Sequence, residues 1–299
     1  MELWIPITIA AAFSQNLRFM LQKHLRATGL TTGGATFARF LFAAPLACAV
    51  LAMFLVVTGD TIPTTSGRFW VFAMVGGLAQ ISATMLVVAL FTQRNFAVGI
   101  TFKKTETIQT VLVGLVVLGE GVSGFGLGAI VIGLVGVVLL SDPPEGGQGA
   151  GRFFNRAAGM GLAAGALFGV SAIGYRGASL ALGDGHFLLR AVTTLMCVTV
   201  FQSLVMATWL RFREPEEISR VLRHWRVTAL VGLTGMIGSL CWFMAFTLQN
   251  AAYVKALGQV ELVFSFLATV FVFKEKITGR EIGGTALILL SILVLVIVL

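Results

Sequence analysis

The chain has 299 residues, of which 57% are hydrophobic and only 11% are charged, and its mean hydropathy is +0.94. A soluble domain carries roughly 25% charged residues, so this composition excludes an ordinary soluble protein and indicates one that crosses a membrane several times. The formal net charge of +8 therefore does not indicate a nucleic-acid partner, because basic residues in a membrane protein mainly set its orientation.

Apolar runs long enough to cross a bilayer recur along the whole chain, since a transmembrane helix needs about 20 apolar residues. The predicted spans are 4–21, 31–57, 69–92, 96–118, 125–140, 158–181, 186–210, 227–248, 252–273 and 281–299. The stretch SDPPEGGQGAG at 141–151 is rich in proline and glycine, as expected for a connection between two halves. The predicted domains are a first repeat over 1–142, a linker over 143–157 and a second repeat over 158–299.

The two halves of the chain resemble each other. A shift of 155 residues, the separation of Glu106 from Glu261, also superimposes other residues that are rare in membrane spans. Because each repeat has an odd number of spans, the second must cross the membrane in the opposite direction to the first. The sequence therefore predicts an all-α integral membrane protein with ten transmembrane helices in two inverted five-helix repeats. Further matched pairs are Phe13 and Phe168, Arg68 and Arg223, Trp70 and Trp225, Asn95 and Asn250, and Glu120 and Glu275.

Two stretches carry most of this repeat: ALFTQRNFAVGITFKKTETIQTVLVGLVVLGE at 89–120 and AFTLQNAAYVKALGQVELVFSFLATVFVFKE at 245–275. With ten spans, and a fourth span in each half that ends in Gly-Glu or Lys-Glu, the whole chain resembles the EamA-type drug/metabolite transporter superfamily. The resemblance implies a permease that exports or exchanges metabolites, with a cavity lined by the first, third and fourth helices of each half. The chain departs from its relatives in one respect. They often have a proline near the position of Glu106, whereas this chain has KKTE at 103–106 and GQVE at the matching position, 258–261.

Glycine pairs four residues apart open the fifth and tenth spans. Gly124 and Gly128 form one pair, and Gly279 and Gly283 form the other. Because small residues at this spacing let helix backbones approach closely, both pairs predict helix packing without a chemical role.

Charged residues inside the predicted spans are the candidates for a binding site. A charge at the bilayer centre costs about 2.5–3.5 kcal/mol, so it must face a wet cavity or a partner. Residues three or four apart share a helical face, which places Lys103 and Glu106 together, and the second half carries a similar polar stripe at matching depth. The candidates for substrate binding or coupling are Glu106, Glu261, Lys103, Lys104, Lys255, Gln109, Gln259, Arg18 and Arg176.

These candidates also have structural interpretations. The two glutamates could form purely structural salt bridges with Lys103 and Lys255. Arg18 and Arg176 could extend to the membrane interface, and Arg39, in the first third of its span, is expected to do so. Aromatic residues on the same helices could contact an apolar part of a substrate, although such residues more often only pack. The aromatic candidates are Phe13, Phe168, Tyr175, Trp242 and Tyr253.

The embedded charges favour an anionic substrate. Seven cations and two carboxylates lie in the predicted spans, so a cavity lined by them is positive before substrate arrives. Lysine or arginine would then bind a carboxylate or phosphate. The glutamates could hold the lysines in place or could exchange protons, because burial favours the neutral form of a carboxyl group. The prediction is a secondary active transporter that exports a small anionic or amino-acid-like metabolite, with protons as a candidate coupling ion.

Two other functions stay open. A multidrug or cationic-compound exporter of the same superfamily conflicts with the seven embedded cations, and a lipid flippase would need a groove open to lipid. No P-loop, GxSxG or HExxH motif occurs, so neither an ATP-driven pump nor an enzyme is predicted. No cofactor or metal site is predicted, since the three histidines lie far apart without ligand spacing.

The connections between spans predict the orientation. Thirteen lysines and arginines fall in odd-numbered connections, whereas Arg68 alone falls in an even-numbered one. By the positive-inside rule the odd connections are cytoplasmic and both termini lie outside. The predicted location is a bacterial cytoplasmic (inner) membrane, with the lipid bilayer and a small-molecule substrate as partners. In the seventh connection, EPEEISRVLRHWRV at 214–227 predicts a short amphipathic helix on the membrane surface.

Overall fold

The computed structural model describes residues 2–92, 102–140, 156–183, 185–264 and 279–298, and these ranges contain eleven α-helices and no strand. This confirms the predicted all-α class. The first half contributes α1 (Trp4–Ala27), α2 (Thr32–Thr58), α3 (Gly67–Leu90), α4 (Glu106–Leu118) and α5 (Gly124–Leu140). The second half contributes α6 (Arg156–Leu180), α7 (Phe187–Arg213), α8 (Glu217–Arg223), α9 (Trp225–Leu248), α10 (Ala251–Leu257) and α11 (Gly279–Val298).

Five helices in the described ranges, α2, α3, α6, α7 and α9, are long and apolar enough to cross a membrane. Large apolar side chains such as Val56, Val116 and Phe125 are exposed on the outside of the helices, as lipid contact requires. The protein is therefore a multi-pass membrane protein. α1 is equally long but carries polar residues that lower its hydropathy, among them Arg18 and Gln22, which are buried.

The two halves pack against each other along their whole length. α3 lies along α6, α1 lies along α9, and α5 lies along α11, while α2 contacts both α7 and α9. α4 packs between α6 and α10. This arrangement brings helices from both halves to the middle of the molecule, where the charged residues lie.

Glycine allows the backbones of α3 and α6 to touch. A Cβ atom on Gly174 would lie 2.8 Å from the Cα atom of Gly76 and 2.9 Å from the carbonyl oxygen of Phe72. Both neighbouring atoms belong to the backbone and cannot rotate away, so no side chain larger than hydrogen fits at Gly174 without separating the helices.

Within the described ranges, the paired glycines at the start of α5 and α11 do not make the predicted close contacts. A Cβ atom on any of the four would meet nothing within 4 Å in the described ranges. The close approach occurs further along, at Gly136, where a Cβ atom would lie 2.8 Å from the carbonyl oxygen of Gly284. The spacing of the glycines was informative, but it could not show which side of the helix faces a neighbour.

The predicted short helix forms as α8, and it closes the N-terminus of α2. The first turn of α2 has no acidic residue, and the carboxylate of Glu217 takes that role by accepting the N–H of Thr31 at 3.0 Å. Arg220 donates to the other carboxylate oxygen of Glu217 at 2.8 Å. A negative charge at a helix N-terminus is stabilising, so this contact ties α8 to the transmembrane helices.

Candidate functional site

The fourth segment of each half changes its helical geometry just before the glutamate. The N–H of Thr105 donates to the carbonyl oxygen of Phe102 at 3.2 Å, and the N–H of Glu261 donates to that of Gly258 at 3.3 Å. Both bonds span three residues where an α-helix would span four, and residues 104–105 and 258–259 are turns. Such a tightening inside a membrane helix is typical of a hinge or a binding site. The bend therefore forms here without the proline that relatives often have.

Glu106 accepts two lysines from different halves of the chain. The Nζ atom of Lys103 lies 3.1 Å from one carboxylate oxygen, and the Nζ atom of Lys255, on α10, lies 3.5 Å from the other. The sequence had paired Lys255 with Glu261, and the structure pairs it with Glu106. The ion pairs therefore join the two halves.

Glu261 is held from the first half of the chain. One of its carboxylate oxygens pairs with Lys104, and the other accepts the side-chain amide of Gln15 on α1 at 3.2 Å. A third link crosses between the halves nearby, because the amide of Gln259 donates to the hydroxyl of Thr107 at 2.9 Å.

This charge cluster, Lys103, Lys104, Lys255, Glu106 and Glu261, is almost completely buried. The three lysines are at most 7% exposed, and Glu106 is 7% exposed. With all five groups ionised the cluster carries one net positive charge. A buried ion pair recovers little or none of the desolvation cost of its charges, so stability alone does not account for such a cluster.

Two adjoining clefts open beside the cluster. The charged cleft is lined by Lys104, Glu106, Lys255 and Glu261, with Thr107 and Gln259. The aromatic cleft is lined by Phe168, Tyr175, Trp242, Phe243 and Phe246, with Gln80 and Ser239. Gln15, Trp242 and Lys255 line both. Their walls approach closely, leaving room for about one water molecule in each, so a metabolite would enter only if the helices or side chains moved.

Lys255 stands at the boundary between the clefts, surrounded by aromatic rings. Its Nζ atom lies 4.6 Å from the ring centre of Trp242 and 5.7 Å from those of Phe168 and Phe246. These contacts stabilise the ammonium group through the negative faces of the rings. Polar atoms at the same place lack partners in the described part of the chain, notably the indole Nε1 of Trp242 and the Oε1 atom of Gln259. Such buried atoms are suited to hydrogen-bond a ligand or water.

The structure brings most of the predicted residues to these clefts. Glu106, Glu261, Lys104, Lys255 and Gln259 line the charged cleft. Phe168, Tyr175 and Trp242 line the aromatic cleft, and Lys103 lies behind Glu106 with its Nζ atom 5.1 Å from the ring of Phe168.

Four other predicted residues line neither cleft. Gln109 lies against α6, where its amide reaches the carbonyl oxygen of Leu162 at 3.5 Å. Phe13 is 57% exposed and packs edge-on against Phe264. The hydroxyl of Tyr253 accepts the N–H of Ser123 at 2.8 Å, so it holds a loop. Arg176 pairs with Glu120 at 2.5 Å and donates to the carbonyl oxygens of Phe246 and Gln249, which ties α6 to the end of α9.

Arg18 on α1 and Arg39 on α2 are both buried inside the protein. Arg18 is 2% exposed and donates to Gln22 at 2.7 Å. Arg39, expected to extend outward, is 4% exposed and donates to the hydroxyl of Thr84 and to that of Ser239, which lines the aromatic cleft. Neither pairs with a carboxylate in the described ranges, so both add positive charge near the site.

The sequence analysis missed Gln15 and Gln80. Gln15 binds Glu261, and Gln80 accepts the hydroxyl of Tyr175 at 2.6 Å. A signal was available, because an amide inside a predicted span is expected to face the interior rather than lipid.

Comparison with known proteins agrees with this architecture. Residues 156–297 match the model of the EamA-like transporter family. A protein of Lactiplantibacillus plantarum named "Putative sugar uptake protein" is 24% identical over 252 residues, which cover 77% of this chain and 82% of that protein. A solved crystal structure has the same fold, with a TM-score of 0.65 at 16% identity, over 97% of this chain and 99% of its own. This family match confirms the resemblance that the sequence predicted.

Proposed function

We propose that the chain is a secondary active transporter of a small anionic metabolite, which binds at Lys103, Lys104 and Lys255 and crosses the membrane by alternating access. One observation carries the proposal: three buried lysines share two carboxylates beside two clefts. Arg18 and Arg39 add two further buried cations without carboxylate partners in the described ranges. A family of transporters and a positive interior together favour an anion over a cationic drug.

The proposed architecture is ten spans in two inverted repeats, with boundaries at 1–142, 143–157 and 158–299. The packing pattern supports it, because the largest contacts between helices have counterparts in which the halves are exchanged. α3 on α6 corresponds to α1 on α9, and α2 on α9 corresponds to α3 on α7. α5 on α11, α2 on α7 and α4 on α10 each pair a helix with its own equivalent. The remainder of the fourth span and much of the ninth lie at 93–101 and 265–278, outside the described residues.

The proposed setting is a bacterial inner membrane with both termini outside and export as the direction. Exposed arginines at the junctions of α7, α8 and α9 support a cytoplasmic position for this end, because they suit an anionic leaflet. They are Arg211, Arg213, Arg220, Arg223 and Arg226. The other basic residues of the orientation argument lie partly outside the described ranges, at Arg94, Arg152, Lys274 and Lys276.

A neutral sugar is the second candidate substrate. The aromatic cleft combines the flat rings of Phe168 and Trp242 with the amides of Gln15 and Gln80, a lining that suits a sugar ring and its hydroxyl groups. The relative named for sugar uptake favours the same candidate. A neutral sugar would leave the positive charge of the three lysines unused, which makes it the second candidate.

A transport panel in proteoliposomes tests these proposals. We expect radiolabelled exchange of at least one carboxylate among pyruvate, malate, glutamate and glucuronate, absent from protein-free liposomes. Uptake of glucose alone would favour the sugar. Transport of tetraphenylphosphonium alone would favour a cation exporter, and flipping of a fluorescent phospholipid alone would favour a flippase. Exchange of none of the four carboxylates would contradict the anionic assignment.

A further inference from the structure

We propose that Glu106 takes up a proton when the anion binds, so that anion and proton cross the membrane in the same direction. This inference rests on the proposed function, because it concerns the same site. This coupling is opposite in sign to that of a proton antiporter, in which substrate and proton take turns at one carboxylate.

The three lysines of the cluster are already paired with glutamates. Lys103 and Lys255 both pair with Glu106, at 3.1 and 3.5 Å, and Lys104 pairs with Glu261. No lysine of the cluster is without a carboxylate partner. An incoming carboxylate or phosphate must therefore compete with the glutamates for the same ammonium groups.

The arrival of an anion changes the balance of charge around Glu106. A monoanion would bring the net charge of the cluster from +1 to zero, so the overall balance alone does not call for a proton. If the anion takes Lys103 and Lys255, however, the ionised Glu106 is left beside it without an ion pair, and the two negative charges repel each other across a few ångströms in a buried site. Protonation of Glu106 removes that repulsion and leaves Lys103 and Lys255 for the anion. The carboxylate becomes a carboxylic acid, which gains one O–H donor, and no other bond changes.

In the described ranges, the charged groups that face Glu106 lie on its own segment and on α10. Its own segment contributes Lys103 and Lys104, α10 contributes Lys255, and beyond Lys104 lies Glu261. α6 contributes the uncharged Phe168 and glycines on this side. The arginines of α6 do not face Glu106, because Arg156 is exposed at the first residue of the helix and Arg176 pairs with Glu120. Arg39, on α2, acts on Lys255 from further away.

Glu106 is better suited to this role than Glu261. An anion that takes both lysines from Glu106 leaves that carboxylate without either of its ion pairs. Glu261 would still accept the amide of Gln15. The group that loses more of its partners gains more from a proton.

The sign of the pH dependence follows from linkage. If the protonated site prefers the anion, the occupied site prefers the proton by the same factor. Affinity for the anion should therefore rise as the pH falls, by at most about tenfold per pH unit for one linked proton. Competition at one carboxylate, as in an antiporter of a cation, gives the opposite slope.

Binding of pyruvate, malate, glutamate and glucuronate to the purified full chain, measured by calorimetry between pH 5 and 8, tests the proposal. We expect wild-type affinity for the carboxylate that binds to increase severalfold or more with each unit of falling pH. Glu106→Gln, which resembles the protonated form, should bind at pH 8 at least as tightly as the wild type at pH 5, with no pH dependence. Glu106→Asp should restore the dependence, and Glu120→Gln, which breaks an ion pair away from both clefts, should retain it.

The possible failures are distinguishable. Binding of none of the four acids at any pH would contradict the proposed function and the coupling with it. Binding that is flat or that weakens as the pH falls would overturn the coupling alone. Weaker binding by a folded Glu106→Gln variant, judged by gel filtration and melting temperature, would also overturn it. If that variant does not fold, the wild-type slope and the Glu106→Asp variant decide.

Discussion

Replacement of Lys255 by methionine is expected to reduce anion exchange in proteoliposomes about 100-fold or more. Methionine keeps the length and apolar stem of lysine and removes only its charge. Among the described residues, Lys255 is the one charged side chain that lines both clefts. Removing one partner of a buried charge pair costs about 2–5 kcal/mol. A loss of about 2.7 kcal/mol in binding corresponds to a factor of about 100. Initial rates of counterflow of the transported carboxylate measure the effect.

Lys23→Met provides the matched control, since Lys23 is exposed and lies outside both clefts. It should exchange the anion at the wild-type rate. Normal anion exchange by a folded Lys255→Met variant would show that the substrate does not use this lysine.

Replacement of Gly174 by valine is expected to destabilise the protein by about 3 kcal/mol or more, at the upper end of overpacking costs. The new Cβ atom would lie 2.8 Å from the Cα atom of Gly76 and 3.1 Å from its nitrogen, so α3 and α6 must move apart. Movement there also displaces Gln80 and Tyr175, which line the aromatic cleft. The melting temperature of the protein in detergent, and its yield as a single species in gel filtration, measure the loss.

Gly159→Val is the matched control on the same helix. A Cβ atom at Gly159 meets nothing within 4 Å in the described ranges, so the variant should melt close to the wild type. Equal melting temperatures for the two variants would contradict the close contact between α3 and α6. If neither variant folds, valine is poorly tolerated anywhere along α6.

The location of the charge cluster could be predicted because the cost of placing a charge in lipid depends on the residue type and not on its contacts. Lysine and glutamate in an apolar run must avoid lipid, which was enough to select Lys103, Glu106 and Glu261 without knowing any contact. The same reasoning would have selected Gln15 if the cost of placing a side-chain amide in lipid had also been considered. The repeat then supplied the second half of the site from the first.

The details of the site depend on helix rotation and pairing, which no local pattern fixes. Phe13 and Phe168 are separated by the same 155 residues as Glu106 and Glu261, yet Phe13 is 57% exposed and Phe168 lines a cleft. Arg39 was expected to extend outward from its place in the span, but α2 lies against α9, which turns that face inward. Lys255 pairs across the halves because α10 lies beside α4, a contact between segments far apart in sequence.

The account depends most on the charge cluster bordering a space that water and substrate can reach. The direct test is a cysteine at Thr107, in a variant lacking Cys48, Cys197 and Cys241, exposed to the negatively charged, membrane-impermeant reagent sulfonatoethyl methanethiosulfonate. The account predicts that this cysteine reacts and that the transported carboxylate slows the reaction. A cysteine at Val116, which is 83% exposed on the same helix, should react only with a lipid-soluble maleimide. If the cysteine at position 107 resists the charged reagent from both sides of the membrane, the cluster does not border a substrate path.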